Sequence, residues 1–237
     1  MCKPVFAVML LLTNCPFCFG RQPNREADRL QKATAVMEKV LRQAPALGVP
    51  SLLLQEAVCV GIIPSEMRFA YVVTGKNHGT GALVCRSSTS GTWGAPALFR
   101  IGGPNYQLML GGDASDVILL IMDRALVTKL NEGAVKFGVN ATSAAGPVER
   151  PDHPAPIVHT TAQVLCYSRR HGNFEGMEFR GAVLKFDSEA NRRLYGKIVT
   201  PEQILVKGSV PMPDSAKPLD DVLSRYCLPN SRSLPTS

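Results

Sequence analysis

The chain has 237 residues, a length that favours one domain with a sizeable hydrophobic core. Its residues are 45% apolar, 19% charged and 6% aromatic, an ordinary globular composition that excludes fibrous and low-complexity classes. The formal net charge of +7 and the isoelectric point of about 9.2 favour contact with anionic surfaces such as lipid headgroups or nucleic acid. A solvated basic surface without an anionic partner is equally compatible with this charge.

The first twenty residues have the shape of a secretory signal peptide. An apolar run from Val5 to Leu12 follows a single lysine and is too short to span a bilayer. Cleavage after Gly20 would satisfy the small-residue rule at the cleavage site. The alternatives are an uncleaved short membrane anchor and lipidation of Cys15, which Asn14 disfavours because a small residue usually precedes a lipidated cysteine. We therefore predict an exported protein that is periplasmic or associated with the cell envelope.

The segment Asn24–Ala44 has the periodicity of an amphipathic helix. Apolar residues recur at three- and four-residue spacing and form one stripe: Leu30, Ala33, Met37, Val40, Leu41 and Ala44. The opposite face is basic and carries Arg25, Arg29, Lys32, Lys39 and Arg42. Pro45 ends this helix, and Ser51 begins a second, short helix that ends near Ala57.

Short apolar or β-branched segments follow, separated by glycine, proline, asparagine and serine. They predict consecutive, largely antiparallel strands joined by turns. The segments are Ala57–Ile63, Phe69–Thr74, Gly81–Arg86, Thr92–Ile101, Tyr106–Gly111 and Ser115–Met122. The last segment is continuously apolar and predicts a buried strand.

The rest of the chain mixes short helices with further strands. Helices are predicted at Ala125–Glu132, Asp187–Leu194, Thr200–Leu205 and Leu219–Tyr226. Strands are predicted near Lys136–Asn140, at Ala162–Ser168 and at Met177–Lys185, the last two flanking a turn at Arg169–Gly176. Three prolines in Glu149–His159 predict an exposed loop, and residues 228–237 predict a flexible tail. The whole predicts a single α+β domain over residues 24–227.

Four cysteines lie beyond the predicted signal peptide: Cys59, Cys85, Cys166 and Cys227. An exported location permits a disulfide among them, whereas the apolar surroundings of Cys59, Cys85 and Cys166 are also typical of buried free thiols. The sequence does not determine which cysteines pair.

No residue pattern in the sequence indicates catalysis. His153 and His159 are six residues apart in a proline-rich segment, a spacing that fits neither a helical nor a finger-type metal pair. A Gly-x-Ser-x-Gly elbow is missing, although a Ser/His/Asp site assembled in space remains the distant enzymatic alternative. Asp116, before the apolar run, is expected to act as a cap or in a turn, and a metal pair with Asp113 is the alternative. We predict no enzyme and no cofactor.

Three segments, taken together, resemble the SYLF domain: Leu110–Asp123, Ser143–Arg150 and Tyr167–Gly196. The similarity extends from about Ala27 to Gly196, with its elements in the family's order. This chain departs from the family where Ile63 stands before Pro64, a position at which an aromatic residue is common. The resemblance implies a strongly curved or barrel-like sheet with an N-terminal amphipathic helix and a few short flanking helices. It also implies phosphoinositide binding, and sometimes actin binding, as in eukaryotic relatives.

Two groups of basic residues are candidates for contact with anionic lipid. The first is the basic face of the N-terminal helix, defined above. The second is Arg169 and Arg170, placed by the predicted turn where two adjacent guanidiniums could grip phosphate oxygens. The alternatives are that the helix packs its apolar stripe on the sheet, and that the two arginines pair with Glu175 or Glu178.

The sequence therefore predicts a non-enzymatic module that binds anionic lipid, of phospholipid or phosphoinositide type, at a membrane surface of the cell envelope. The alternative is a structural or protein-interaction component of the envelope, with an envelope protein as its partner. Nucleic acid is a disfavoured partner because the basic residues are not interleaved with aromatic ones.

Overall fold

The computed structural model describes residues 24–43, 48–65, 78–103, 116–148, 161–170 and 172–226. Several sequence predictions lie outside these residues. They concern the signal peptide, the strands Phe69–Thr74 and Tyr106–Gly111, the loop Glu149–His159, the C-terminal tail, Asp113 and Cys227.

The described strands form one sheet. In chain order they are β1 Cys59–Ile63, β2 His78–Cys85, β3 Ala97–Gly102, β4 Val117–Ile121, β5 Val135–Lys136, β6 Ser143–Ala145, β7 Val164–Arg170, β8 Asn173–Gly176 and β9 Val183–Phe186. Their order across the sheet is β5-β9-β3-β2-β1-β4-β7-β6, and β8 also pairs with β7. All pairs are antiparallel except β6 with β7. The sheet curls into a half-barrel, which confirms the predicted fold class.

Helices cover both faces of this sheet. They are α1 Arg25–Gln43, α2 Ser51–Glu56, α3 Ala125–Glu132, α4 Ser188–Tyr195 and α5 Lys217–Tyr226, with a one-turn π-helix at Glu202–Val206 and a 3₁₀ turn at Asp214–Ala216. Side chains alternate between the faces along each strand, so two cores form. One core joins the sheet to α1, α2, α4 and α5, and the other joins it to α3 and the π-helix.

The predicted turn at Arg169–Gly176 is wrong. Strand β7 continues through Arg170, and β8 begins at Asn173 and pairs with it as a tight hairpin. Gly172, with a φ of 90°, supplies the left-handed backbone that such a short connection requires. Strand pairing therefore occupies most of the eight residues that the sequence assigned to a turn.

Two predicted strands are shorter than expected. The segment Met177–Lys185 contains strand only from Val183, because Gly181 adopts a φ of 85° and bends the chain first. In Thr92–Ile101, only an isolated bridge from Trp93 to Arg86 precedes β3. Trp93 is buried and stacks against the guanidinium of Arg86, whose carbon lies 4.0 Å from the ring centroid.

The structure selects one disulfide from the four cysteines. Cys59 and Cys85 face each other directly across β1 and β2 and are bonded. Cys166 of β7 is a buried free thiol. The bond joins two central strands of the sheet within the core on the α3 side.

The backbone that follows β6 packs closely against β7 and β8. A Cβ at Gly146 would collide with the ring of Tyr167, and one at Gly176 would collide with the carbonyl of Gly146. The hydroxyl of Tyr167 donates a hydrogen bond to the carbonyl of Pro147 at 3.1 Å. Glycine is therefore needed at 146 and 176 because a backbone and an aromatic ring approach each other there.

Candidate anion-binding surface

The apolar stripe of α1 is part of the core. Leu30, Ala33 and Met37 are completely buried, and Val40 is 1% exposed. They pack with residues of the sheet and of α5, in the core on the α1 side. The helix therefore packs on the sheet, which was the alternative to membrane contact. Its apolar stripe is not exposed to solvent.

The beginning of α1 is also attached to α4 by two ion pairs. A nitrogen of the Arg29 guanidinium lies 3.4 Å from Oδ2 of Asp187, and both side chains are buried. Nε of Arg193 donates a hydrogen bond of 2.7 Å to Oε1 of Glu26, which is also buried. This hydrogen bond, together with the nearby carboxylates, raises the pKa of the Arg193 guanidinium. The N-terminal half of α1 is thus held by charge as well as by apolar packing.

Most charges on the solvent face of α1 are balanced within the helix. Lys32 pairs with Asp28 at 3.1 Å, and Arg42 pairs with Glu38 at 3.1 Å, each at i,i+4 spacing. Arg25 is exposed and forms no ion pair with any described residue.

The C-terminal half of α1 contributes to a cluster around Asp116. This aspartate is 2% exposed, yet Nε of Arg169 lies 3.1 Å and Nζ of Lys39 lies 3.6 Å from its Oδ2 atom. Its other oxygen, Oδ1, accepts a hydrogen bond from the backbone nitrogen of Ser65 at 3.0 Å. This contact joins residues 51 positions apart, so it differs from the local cap or turn contact that the sequence predicted for Asp116.

This cluster brings together the two groups of basic residues that the sequence left separate. Lys39 comes from the helix and Arg169 from β7, and both remain partly exposed, at 47% and 32% of their side chains. Arg169 pairs with Asp116 and forms no ion pair with Glu175 or Glu178, the partners considered from the sequence. Glu178 pairs with Arg180 instead. The side chain of Arg170 lies outside the described residues. Two cations thus meet one carboxylate at the surface.

A second buried network was not predicted from the sequence. Asn191 of α4 is completely buried and makes a reciprocal pair of hydrogen bonds with the backbone of Leu98, at 2.9 and 2.7 Å. Asp187, the first residue of the helix predicted here, is the N-cap of α4 and accepts from the nitrogen of Ala190, and it also lies 3.7 Å from Nε of Arg100. Only the cap has a local sequence signal, because the other contacts join residues far apart in the chain.

Neither a metal centre nor a membrane span is found within the described ranges. No three acidic, histidine or cysteine side chains there converge on a possible ion position. No described helix has the length and apolarity needed to cross a bilayer.

Comparison with known protein sequences identifies the family. Residues 102–226 match the family Ysc84, described as "Las17-binding protein actin regulator". The chain belongs to this family, whose domain is the SYLF domain, and the predicted resemblance is confirmed.

The similarity extends beyond that region in individual relatives. Protein YSC84 of Saccharomyces cerevisiae is 28% identical over 208 residues, which cover 85% of this chain and 44% of that protein. The human SH3 domain-containing YSC84-like protein 1 is 28% identical over 209 residues, which cover 86% of this chain and 60% of that protein. LAS seventeen-binding protein 3 of S. cerevisiae is 27% identical over 208 residues, with 85% and 44% coverage. The chain therefore spans about half the length of the curated relatives it matches.

Proposed function

We propose that this domain binds anionic lipid at a membrane surface, through cations displayed around a helix α1 that stays docked on the sheet. The observation that carries this proposal is the meeting of Lys39 and Arg169 at Asp116. One carboxylate faces two cations, so the cluster keeps a positive charge that a lipid phosphate can neutralise. Nε of Arg169 lies 3.1 Å from Oδ2 of Asp116 as an ion pair, but it donates no hydrogen bond to that oxygen, and the other two guanidinium nitrogens donate none to any described residue.

The docked helix favours surface attachment over insertion. Burying one large apolar side chain contributes roughly 1.5–3 kcal/mol. Lifting Leu30, Met37 and Val40 out of the core would therefore cost roughly 5 kcal/mol or more before any contact with lipid is made. Each cation near an anionic bilayer contributes about 1 kcal/mol. The proposed attachment is accordingly weak, electrostatic and sensitive to salt.

We also propose that the protein works outside the cytosol, at the cell envelope. The disulfide between Cys59 and Cys85 supports this location, because such bonds persist mainly in oxidising compartments. The predicted signal peptide, or lipidation at Cys15, would bring the domain to the membrane.

A protein partner is the second candidate function. The family description names Las17 binding, and a relative is named for binding the same protein. A protein-interaction role in this chain would use a surface that the relatives share with it. It does not require the Asp116 cluster to remain accessible to lipid.

Vesicle co-sedimentation of the full chain tests the lipid proposal. Phosphatidylcholine vesicles, with and without phosphatidylglycerol, are compared at low salt, and neutral vesicles report attachment through the apolar N-terminus alone. The double variant Lys39→Gln/Arg169→Gln should lose most of the binding that depends on anionic lipid. The matched control Arg180→Gln/Lys207→Gln removes the same charge from two exposed positions, at 81% and 60% exposure, and should keep it. Equal losses in both double variants would contradict the proposed surface.

A further inference from the structure

We infer a second site for a phosphate group on the α1 side of the sheet, built by Arg100 of β3 and Lys185 of β9. The two residues are direct partners in the antiparallel register of these strands. Both side chains are exposed. Arg100 lies two residues after Leu98, which belongs to the core on the α1 side, so alternation places Arg100 and its partner Lys185 on that face.

Two like charges in this arrangement oppose folding. Directly opposite residues in an antiparallel pair have Cβ atoms about 5 Å apart, and like charges there are destabilising. Nε of Arg100 lies 3.7 Å from Oδ2 of Asp187, but Arg29 already pairs with the same oxygen at 3.4 Å. Lys185 forms no ion pair with any described residue. Lys185 is therefore not compensated by any described carboxylate, and it lies beside Arg100, which shares the carboxylate of Asp187 with Arg29.

The surrounding charges balance one another and leave the excess of this pair uncompensated. The cations are Arg29, Arg100, Lys185, Arg192 and Arg193, and the carboxylates are Glu26, Asp187 and Glu189. Five cations and three carboxylates leave a net charge of +2. Glu26 and Asp187 are buried and already paired with arginines, so they are not available to bind a cation from solution. The chemistry selects an anion.

A phosphate group fits this pair of cations. The planar guanidinium of Arg100 can donate two parallel hydrogen bonds, and the ammonium of Lys185 can reach a further oxygen of the same group. A bound phosphate would also remove the repulsion between the two strands. This site is separate from the Asp116 cluster, because β2 and β1 lie between β3 and β4, a separation of about 14 Å along the sheet.

Helix α1 connects the two sites. Arg29 contacts the aspartate beside Arg100, and Lys39, ten residues later, contacts Asp116. Ten helical residues span about 15 Å, which matches the separation of the strands. Two phosphate contacts on one face, one at each end of a docked helix, suit a lipid surface better than a single soluble anion. This inference rests on the proposed function for its lipid source, although the site itself is defined by phosphate chemistry.

The test measures binding of two probes to the full chain. Vesicles containing phosphatidylglycerol report a lipid source, and soluble inositol hexakisphosphate reports a free phosphate source. The variants are Lys185→Glu and Arg100→Gln, and the control is Lys207→Glu, whose lysine lies beside the π-helix on the opposite face. We expect at least about a fivefold loss of affinity in Lys185→Glu and Arg100→Gln, equivalent to about 1 kcal/mol, and no more than a twofold change in the control.

Thermal unfolding separates this site from a structural role. Lys185→Glu creates an opposite-charge pair with Arg100, so its melting temperature should equal or exceed that of the unsubstituted chain. Vesicle binding that Lys185→Glu and Lys207→Glu change equally would overturn this inference and leave the proposed function standing. Lys185-dependent binding of inositol hexakisphosphate without vesicle binding would support the site and overturn the proposed function. Binding of neither probe at low salt would overturn both.

Discussion

Arg29 of α1 and Asp187 at the start of α4 form a buried ion pair of 3.4 Å between residues 158 positions apart in the sequence. Together with the pair of Glu26 and Arg193, it attaches the beginning of α1 to α4. The helix, for which the sequence left open both membrane contact and packing on the sheet, is therefore an integral part of the domain. Its charged face, and not its apolar stripe, is exposed to solvent.

Loss of the Arg29 side chain should destabilise the fold. Arg29→Ala leaves the buried carboxylate of Asp187 with Arg100 alone, at 3.7 Å, and breaking such a buried pair costs about 3 kcal/mol. The free energy of unfolding from urea titration measures this loss. Arg42→Ala is the control: it breaks an exposed i,i+4 pair and should change stability by less than about 0.5 kcal/mol. Equal effects of the two substitutions would contradict the attachment of α1 to α4.

A methyl group at Gly146 should be poorly tolerated. Gly146→Ala forces a Cβ into the ring of Tyr167, and overpacking of this kind costs about 3 kcal/mol or prevents folding. Soluble yield and denaturant midpoint measure the effect. The neighbouring substitution Ala145→Ser, at an exposed position, should leave both unchanged. A Gly146→Ala protein as stable as Ala145→Ser would show that the close packing at Tyr167 is incorrect.

Removal of the disulfide should lower stability through the unfolded state. Cys59 and Cys85 are 26 residues apart, and closing a loop of this length contributes about 3 kcal/mol in the chain-entropy description. The double variant Cys59→Ala/Cys85→Ala should lose about that much in urea titration under oxidising conditions. Cys166→Ala removes a free thiol and should not abolish the response of stability to reductant. A peptide map of the unreduced protein that links Cys166 to either partner would refute the pairing.

Stability should fall in alkaline solution. Burial raises the pKa of the Cys166 thiol and of the Tyr167 hydroxyl, so folding favours their neutral forms. In the unfolded chain they ionise near pH 8.5 and pH 10, roughly their ordinary values. Their contribution is therefore complete below about pH 8 and is lost as the pH rises toward the higher folded-state pKa values. Urea titrations from pH 8 to pH 11 should show this decline, with a shallower slope above pH 10 in Tyr167→Phe. Identical slopes in both proteins would argue against a role for Tyr167.

The sequence predicted what depends on local periodicity and local caps. The stripe of α1 follows from apolar residues at three- and four-residue spacing, and the start of α4 follows from Asp187, whose side chain accepts from the nitrogen of Ala190. The buried strand β4 follows from a continuous apolar run.

The site could be predicted only in parts, because its geometry depends on strand register. Lys39, Asp116 and Arg169 meet only when β4 pairs with β7 and α1 crosses the sheet. The repulsive pair of Arg100 and Lys185 likewise exists only in the register of β3 with β9. The sequence identified the basic residues as candidates for anion binding, but their ion pairs with Asp116 and Asp187 could be recognised only in the folded structure.

Hydrogen exchange of the vesicle-bound protein tests the central claim most directly. Backbone amides of α1 are followed with and without vesicles that contain phosphatidylglycerol, at low salt. We predict that the protein binds these vesicles and that the amides from Leu30 to Val40 stay as protected as in the free protein, because the helix remains docked. A faster exchange of these amides on vesicles, as the helix leaves the core, would contradict the docked helix, and so would the absence of any binding to anionic vesicles.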